Sequence, residues 1–272
     1  VIRFHRKYLE WIEKTGSTVM GNYNPNRQYG LVIYTDDFQG EAHRFYVYNF
    51  KGWRVPTSTA HYIESKTRIP AIHARLAREL MERSGILTLQ NVEIVSNQLS
   101  RNSAKMLTFG TLTEALRTGF PALTEDEYRD TLDYLVKFLE ALNKVRPQEI
   151  AVLSVAKRQK IRDESVADQA VMWHGHIQLA AWLRANHPDS WEQRLQVLGQ
   201  PVAYQCQDGT TWTGDLFSRK NVLWADRGIL IPGKNGMRVV NNKDAKRAAI
   251  DVLREVASGA LGAPTAAEAV AA

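Results

Sequence analysis

The sequence contains a single cysteine, Cys206, among its 272 residues. One thiol cannot form an intramolecular disulfide, and it cannot complete a cysteine-based zinc finger or an iron–sulfur cluster. Neither a histidine nor a basic residue lies next to Cys206 in the sequence to stabilise a thiolate. We therefore expect a structural cysteine and a cytoplasmic protein, because the cytoplasm keeps thiols reduced.

Long hydrophobic runs are also lacking. The longest apolar stretches, such as residues 30–34, have the length of a strand and not the roughly 18–20 residues that span a bilayer. The first residues do not contain the apolar segment of a signal peptide. Because the sequence begins with Val1 instead of methionine, we expect further residues upstream of it. No membrane partner is predicted.

Several catalytic and nucleotide-binding motifs are missing. The sequence has no GxxxxGK[ST] loop, no GxGxxG, no HExxH and no GxSxG. His174 and His176 are two residues apart on a predicted helix, so they point roughly 200° apart and cannot share one metal ion. Packing on two faces of the helix explains them better. We therefore predict no cofactor, no metal and no catalytic residue, and we leave enzymatic activity open.

The composition is that of a globular protein with an excess of positive charge. Hydrophobic residues make up 44% and charged residues 24% of the chain, which excludes wholesale disorder and fibrous classes. The 35 lysines and arginines outnumber the 29 acidic residues, giving a net charge of +6. An excess of this sign favours a polyanionic partner, most often a nucleic acid.

Periodicity and breaker residues predict an α+β fold that is predominantly helical. Helices are expected over 5–15, 38–49, 70–83, 125–145, 161–186, 189–198 and 243–257, with strands at 31–35 and in 86–95. The predicted layout is a small α/β piece (1–95), a helical middle (96–200), a glycine-rich basic C-terminal lobe (201–258) and a flexible tail (259–272). The clearest helix is 125–145, because Thr124 can cap it and three acidic residues follow.

Three basic clusters are the main candidates for contacts with phosphate. Arginine, lysine and asparagine side chains near glycines are typical of binding to a nucleic-acid backbone. Trp212 and Trp224 occur among the C-terminal cations, where they can pack beneath them or stack on a base. The first cluster comprises Lys157, Arg158, Lys160 and Arg162, the second Arg219, Lys220, Asn221 and Arg227, and the third Lys234, Arg238 and Lys243.

Four stretches of the sequence, in order, resemble the DGQHR-domain family and within it the DndB-like proteins of DNA phosphorothioate modification. Residues 1–6 (VIRFHR) fall where that family has V-D-G-Q-H-R before a helix. The strand 31–35 precedes a segment ending F-x-x-x-N at Asn49. Residues 99–108 (LSRNSAKMLT) resemble its L-S-x-R-S-x-K-L-F-T segment, and residues 215–227 resemble its D-W-S-R-x-N-x-x-W-x-G-R segment.

This resemblance implies a ParB-like N-terminal α/β region and a DNA-binding accessory protein that represses transcription or sets the level of modification. Arg101, Lys105 and the basic clusters would contact double-stranded DNA. Only His5 and Arg6 match the degenerate signature, where they would face phosphates. Further partners would be DNA-modification enzymes, and an oligomer is left open.

Two alternatives remain open at this point. One is a ParB-like nucleotide-binding component, an NTPase, of a DNA-modification or defence system, acting through His5 and Arg6. The other is a non-catalytic module that docks on modification enzymes through the helix 125–145.

Overall fold

The computed structural model describes residues 55–67, 70–100, 102–206, 208–233 and 236–261. The predicted helices 5–15 and 38–49, the strand 31–35 and nearly all of the tail lie outside these ranges. The helices are α1 (Thr57–Glu64), α2 (Ile72–Arg83), α3 (Phe109–Gly119), α4 (Glu125–Val145), α5 (Pro147–Ile150), α6 (Val155–Glu164), α7 (Ala170–Asn186), α8 (Trp191–Gln196), α9 (Val222–Asp226) and α10 (Lys243–Ser258), with a 3₁₀ turn at Val197–Gly199.

Within the described ranges, the strands form three two-stranded sheets. They are β1 (Val92–Glu93), β2 (Leu107–Thr108), β3 (Pro201–Gln205), β4 (Thr211–Asp215), β5 (Leu230–Gly233) and β6 (Gly236–Val239). The pair β1–β2 is parallel, with Val92 opposite Leu107. The pairs β3–β4 and β5–β6 are antiparallel hairpins. The prediction of a predominantly helical α+β fold is thus confirmed.

Helix α7 packs against both α3 and α10. It is apolar on nearly every face, which is typical of a helix buried on all sides. Gly175 allows α10 to approach closely, because a Cβ at this position would lie 2.8 Å from Leu253 Cδ1. One connected core of buried residues extends from Leu76 to Ala257 and draws on all three predicted regions. The domain boundaries themselves remain predictions.

Helix α4 was the clearest prediction and is confirmed in detail. The Thr124 hydroxyl accepts a hydrogen bond from the backbone of Glu127, and the Glu127 carboxylate accepts one from the backbone of Thr124. This capping box satisfies two amides that the first turn would otherwise leave unpaired. The apolar face of α4, which includes Leu135 and Leu139, is buried in the core.

Two predicted elements differ in the structure. The single helix expected over 161–186 is divided into α6 and α7, because Ser165 pairs with Ser218 and Arg219 donates its backbone amide to the Glu164 carbonyl. These contacts turn the chain away from the helical path. In the stretch 86–95 only β1 is a strand, because the Asn91 side chain accepts a hydrogen bond from the Thr88 amide and holds a turn.

Helix α6 is attached to the rest of the protein by polar contacts and not by an apolar stripe. Its only buried residue is Arg158. An amphipathic helix normally buries an apolar stripe, whereas α6 is held by polar contacts from its two inward-facing arginines. The other face of the helix is exposed to solvent.

Candidate nucleic-acid interface

Of the four segments that carry the family resemblance, the last two, residues 99–108 and 215–227, both contact α6. From the segment 99–108, Asn102 accepts a hydrogen bond from Gln159 at 2.9 Å, and the Ser103 carbonyl accepts one from Arg162 at 2.9 Å. From the segment 215–227, Ser218 and Arg219 bond the end of the helix. Segments that are more than a hundred residues apart are thus fixed to one short helix.

Arg158 contacts the protein interior, which corrects its expected role at a DNA surface. Its side chain is fully buried and donates to the Glu149 carbonyl at 2.6 Å and the Ala151 carbonyl at 2.7 Å. It also lies 3.5 Å from the buried Asp168 carboxylate. A guanidinium in this position balances a buried charge and is not available to a phosphate.

Asp168 is the centre of this buried cluster. Arg162 Nε lies 3.8 Å from Asp168 Oδ2. Burial raises the pKa of the Asp168 carboxyl, while the two arginines act in the opposite direction. Burial also lowers the pKa of Arg158. The cluster holds charged groups where water is scarce, so each depends on the others.

A second group of charged residues connects α5 to the end of β4. Arg146 donates to Glu149 at 2.9 Å and forms an ion pair with Asp215 at 2.7 Å. The Arg146 guanidinium also lies 4.9 Å from the centre of the Phe217 ring. These contacts fix the start of the segment 215–227 against the body of the protein.

Several other predicted contact residues make internal hydrogen bonds. Lys105 donates its ammonium to the carbonyls of Leu89 and Val92. Arg162 donates to the Ser103 carbonyl and also to that of Lys105. The side chains of Lys105 and Arg162 hold the loop before α3 in place. Lys105 and Arg162 are therefore not among the proposed DNA contacts.

The second basic cluster is partly structural as well. Arg219 donates to the carbonyls of Ser165 (3.4 Å) and Met237 (3.1 Å). Asn221 is buried and caps α9. Arg227 forms an ion pair with Glu255 at 2.6 Å and is partly exposed. The cluster therefore ties together α6, α9 and the hairpin β5–β6.

Four exposed cations lie on the elements that Arg219 joins: Lys157, Lys160, Lys220 and Arg238. We call these four residues the cationic surface. Lys160 lies 3.9 Å from Glu164, but both side chains are well exposed (73% and 63%), so this pair contributes little. Lys243, also exposed, begins α10. His5, Arg6, Arg101 and Lys234 lie outside the described residues.

The two tryptophans of the C-terminal region have different environments. Trp224 is fully buried, and its indole N–H donates to the Leu216 carbonyl at 2.7 Å. It stacks on Phe217 at a centroid distance of 6.3 Å. Trp224 is therefore a core residue and does not stack on a base. Trp212 is only partly buried and covers Gly214.

Both histidines of the predicted pair are buried in α7. His176 Nε2 lies 3.3 Å from the Ala167 carbonyl, and its ring packs between Trp173 and Phe217. Burial lowers the pKa of each ring to about 4. Within the described ranges, no three histidine, cysteine or acidic side chains are grouped as a metal site would require.

Sequence reasoning missed Asp168 and Glu149, which organise the arginines. A signal was present, because Ser165 and Asp168 are residue types that favour helix N-termini and fell inside the helix predicted over 161–186. No sequence pattern indicated that Arg158 and Arg162 would face inward while Lys157 and Lys160 face solvent, since α6 has no apolar stripe to define its buried side.

The fold and this surface define a predominantly helical α+β protein that presents cations on elements fixed by buried ion pairs. A family model described as "DndB: DNA-sulfur modification-associated" matches residues 31–258. The chain belongs to the DndB family, and this membership implies a role in a DNA phosphorothioation system. No curated protein and no solved structure matches the chain. In the part of the chain that the structure describes, no helix is both long and apolar enough to cross a membrane.

Proposed function

We propose that this protein is a DNA-binding regulatory component of a phosphorothioation system, acting as a transcriptional repressor or a regulator of the level of modification. The observation that supports this most is the cationic surface, formed by exposed side chains on α6, on the loop before α9 and on β6. Family membership supplies the biological setting. The proposed partner is double-stranded DNA, and modification enzymes are further proposed partners.

The residue types of the cationic surface favour contacts with the DNA backbone over contacts with the bases. Three of the four cations of the cationic surface are lysines, and lysine ammonium groups bind phosphates as point charges. Such contacts fix position on the duplex and release counterions. Four phosphate contacts give a slope of log K against log salt of about −3.6, or about 150-fold weaker binding between 50 and 200 mM salt.

The test is fluorescence anisotropy with labelled duplexes, modified and unmodified, over a salt series. The variant Lys157→Ala/Lys160→Ala/Lys220→Ala should bind DNA at least tenfold more weakly and show a smaller salt slope. Arg219 is left intact because its loss would also remove its hydrogen bonds to the carbonyls of Ser165 and Met237.

The control removes two exposed lysines elsewhere and is matched in charge to the double variant Lys157→Ala/Lys160→Ala. Lys137→Ala/Lys144→Ala changes two exposed positions of α4 and should bind DNA about as tightly as the wild-type protein. Equal weakening by both variants would show only a general charge effect. Absence of binding at 50 mM salt would overturn the proposal.

The alternative of a ParB-like nucleotide-binding component depends on His5 and Arg6, which lie outside the described residues. None of the contacts described above favours it over the DNA-binding proposal.

A further inference from the structure

The hairpin β5–β6 has one apolar face that begins in the core and ends in solvent. Cross-strand partners lie on the same face of an antiparallel pair, and so do positions two apart along each strand. The pair Leu230 and Val239 packs on the core, and Leu230 is only 2% exposed. The next pair on this face, Pro232 and Met237, is exposed, with Met237 at 40%. The hairpin therefore presents two adjacent apolar side chains towards its outer end.

Hydrogen bonds hold the hairpin in a fixed position relative to α6. Arg219 donates to the Met237 carbonyl at 3.1 Å and to the Ser165 carbonyl, just after α6, at 3.4 Å. At the base of the hairpin the Val240 amide donates to the Ile229 carbonyl at 2.8 Å. The backbone of Met237 is thus tied to the helix that carries two lysines of the cationic surface.

The charge at the outer end of the hairpin is positive. The strands β5 and β6 contain one charged residue, Arg238, which is exposed on the face opposite to Met237. The Arg238 side chain extends along the outer end, since a Cβ at Gly233 would lie 3.4 Å from its Cγ and Cδ atoms. Lys220, next to Arg219 in the chain, is exposed as well. The apolar pair therefore lies among cations.

A small apolar pair beside an exposed arginine matches the minor groove of DNA. Methionine and proline are among the side chains that enter between base pairs from this groove and partly unstack them. Arginine favours the same groove, because the negative potential there increases as the groove narrows. A protein partner would also cover apolar side chains, but the net charge of +6 and the adjoining cationic surface favour a polyanion.

We propose that the outer end of the hairpin β5–β6 enters the minor groove of duplex DNA. Pro232 and Met237 contact the base pairs, Arg238 lies along the groove, and the lysines of the cationic surface hold the flanking phosphates. Residues 234 and 235, which join the strands, lie outside the described residues, so the site consists of the strands alone. The inference rests on the proposed DNA-binding function and adds to it the groove and the side chains that reach the bases.

The first test uses 2-aminopurine, a base whose fluorescence rises when it unstacks, at successive positions of an A·T-rich duplex. Binding of the full chain should raise this fluorescence. Met237→Ala should abolish the rise and weaken binding by about tenfold, because it removes three heavy atoms that contact the bases. The Tm should stay unchanged, because the side chain is exposed in the free protein.

Two further variants separate insertion from charge attraction and from a general loss of apolar surface. Met237→Lys adds a positive charge, so attraction alone would strengthen binding and keep the fluorescence rise, whereas insertion predicts that the rise is lost. Leu89→Ala shortens an apolar side chain of similar size that is 53% exposed outside the hairpin. This control should change neither the affinity nor the fluorescence.

The second test identifies the groove by base substitution. Inosine·cytosine pairs lack the amino group of guanine, so their minor groove resembles that of A·T pairs and their major groove that of G·C pairs. Duplexes of A·T and inosine·cytosine pairs should bind equally well, and G·C duplexes more weakly. Arg238→Ala should reduce this preference.

The outcomes distinguish this inference from the proposed function. A fluorescence rise that depends on Met237, with equal affinity for A·T and inosine·cytosine duplexes, supports the inference. DNA binding that Met237→Ala leaves unchanged, or inosine·cytosine duplexes bound like G·C ones, would overturn the inference and leave the proposed function standing. An effect of Met237→Ala on oligomeric state alone would assign the hairpin to a contact between copies and also overturn it. No DNA binding at 50 mM salt would overturn both.

Discussion

At the scale of single residues, the inward or outward direction of each arginine and lysine decides its role. Arg158 and Arg162 differ by one helical turn and both point into the protein, where they meet Asp168. Lys157 and Lys160, on the same helix, are exposed. A count of positive charges along the sequence treats these four residues alike, although only two of them remain available to a polyanion.

Arg158→Ala should be among the most destabilising single substitutions in this protein. Removing one partner leaves Asp168 buried with less compensation, which costs about 3–5 kcal/mol. Urea unfolding followed by tryptophan fluorescence measures the loss. The double variant Arg158→Met/Asp168→Leu removes both charges and should recover much of it, and a loss in the double variant as large as in the single one would contradict this account.

At the scale of secondary-structure elements, the sequence predicted helix bounds best where it contains helix-capping residues. Helix α4 was predicted over 125–145 and has these bounds in the structure, because Thr124, the acidic first turn and the apolar stripe all agree. The final helix, predicted over 243–257, also matches α10 closely. Where local signals support one another, sequence reasoning is sufficient.

The failures at this scale have a common physical cause. The break between α6 and α7 depends on contacts of Ser165 and Glu164 with Ser218 and Arg219, which are more than fifty positions away. Local periodicity contains no information on such partners, so the break was not predictable.

Thr124→Ala tests the capping box of α4. Loss of the hydroxyl leaves the amide of Glu127 without its acceptor and should lower the free energy of unfolding by about 1 kcal/mol. Thermal or urea unfolding provides the measurement. Thr118→Ala serves as the control, because its exposed hydroxyl bonds only the Glu114 carbonyl within α3, where the change should be within about 0.5 kcal/mol. Equal effects of the two substitutions would argue against the capping role.

At the scale of the whole molecule, α7 connects the stability of the protein to pH. His174 and His176 are buried in this helix, and burial lowers the pKa of each to about 4. Between pH 6.5 and 4 the unfolded chain binds protons at these rings while the folded chain does not. Stability is therefore highest above pH 6.5 and falls as the pH decreases through this window.

The expected loss at pH 5 is roughly 2 kcal/mol for each histidine, at about 1.4 kcal/mol per pH unit below 6.5. Urea unfolding at pH 7, 6 and 5 measures it. His174→Asn should reduce the slope of stability against pH. A stability that is flat from pH 7 to 5 would show that these rings do not control acid sensitivity.

The attachment of α6 has an evolutionary consequence. Two arginines hold this helix, and its outer face adds nothing to the hydrophobic core. Substitutions at positions such as Lys157 and Lys160 can therefore accumulate without loss of fold. In a protein built this way, the charge that this face presents can change between lineages while the scaffold beneath it stays the same.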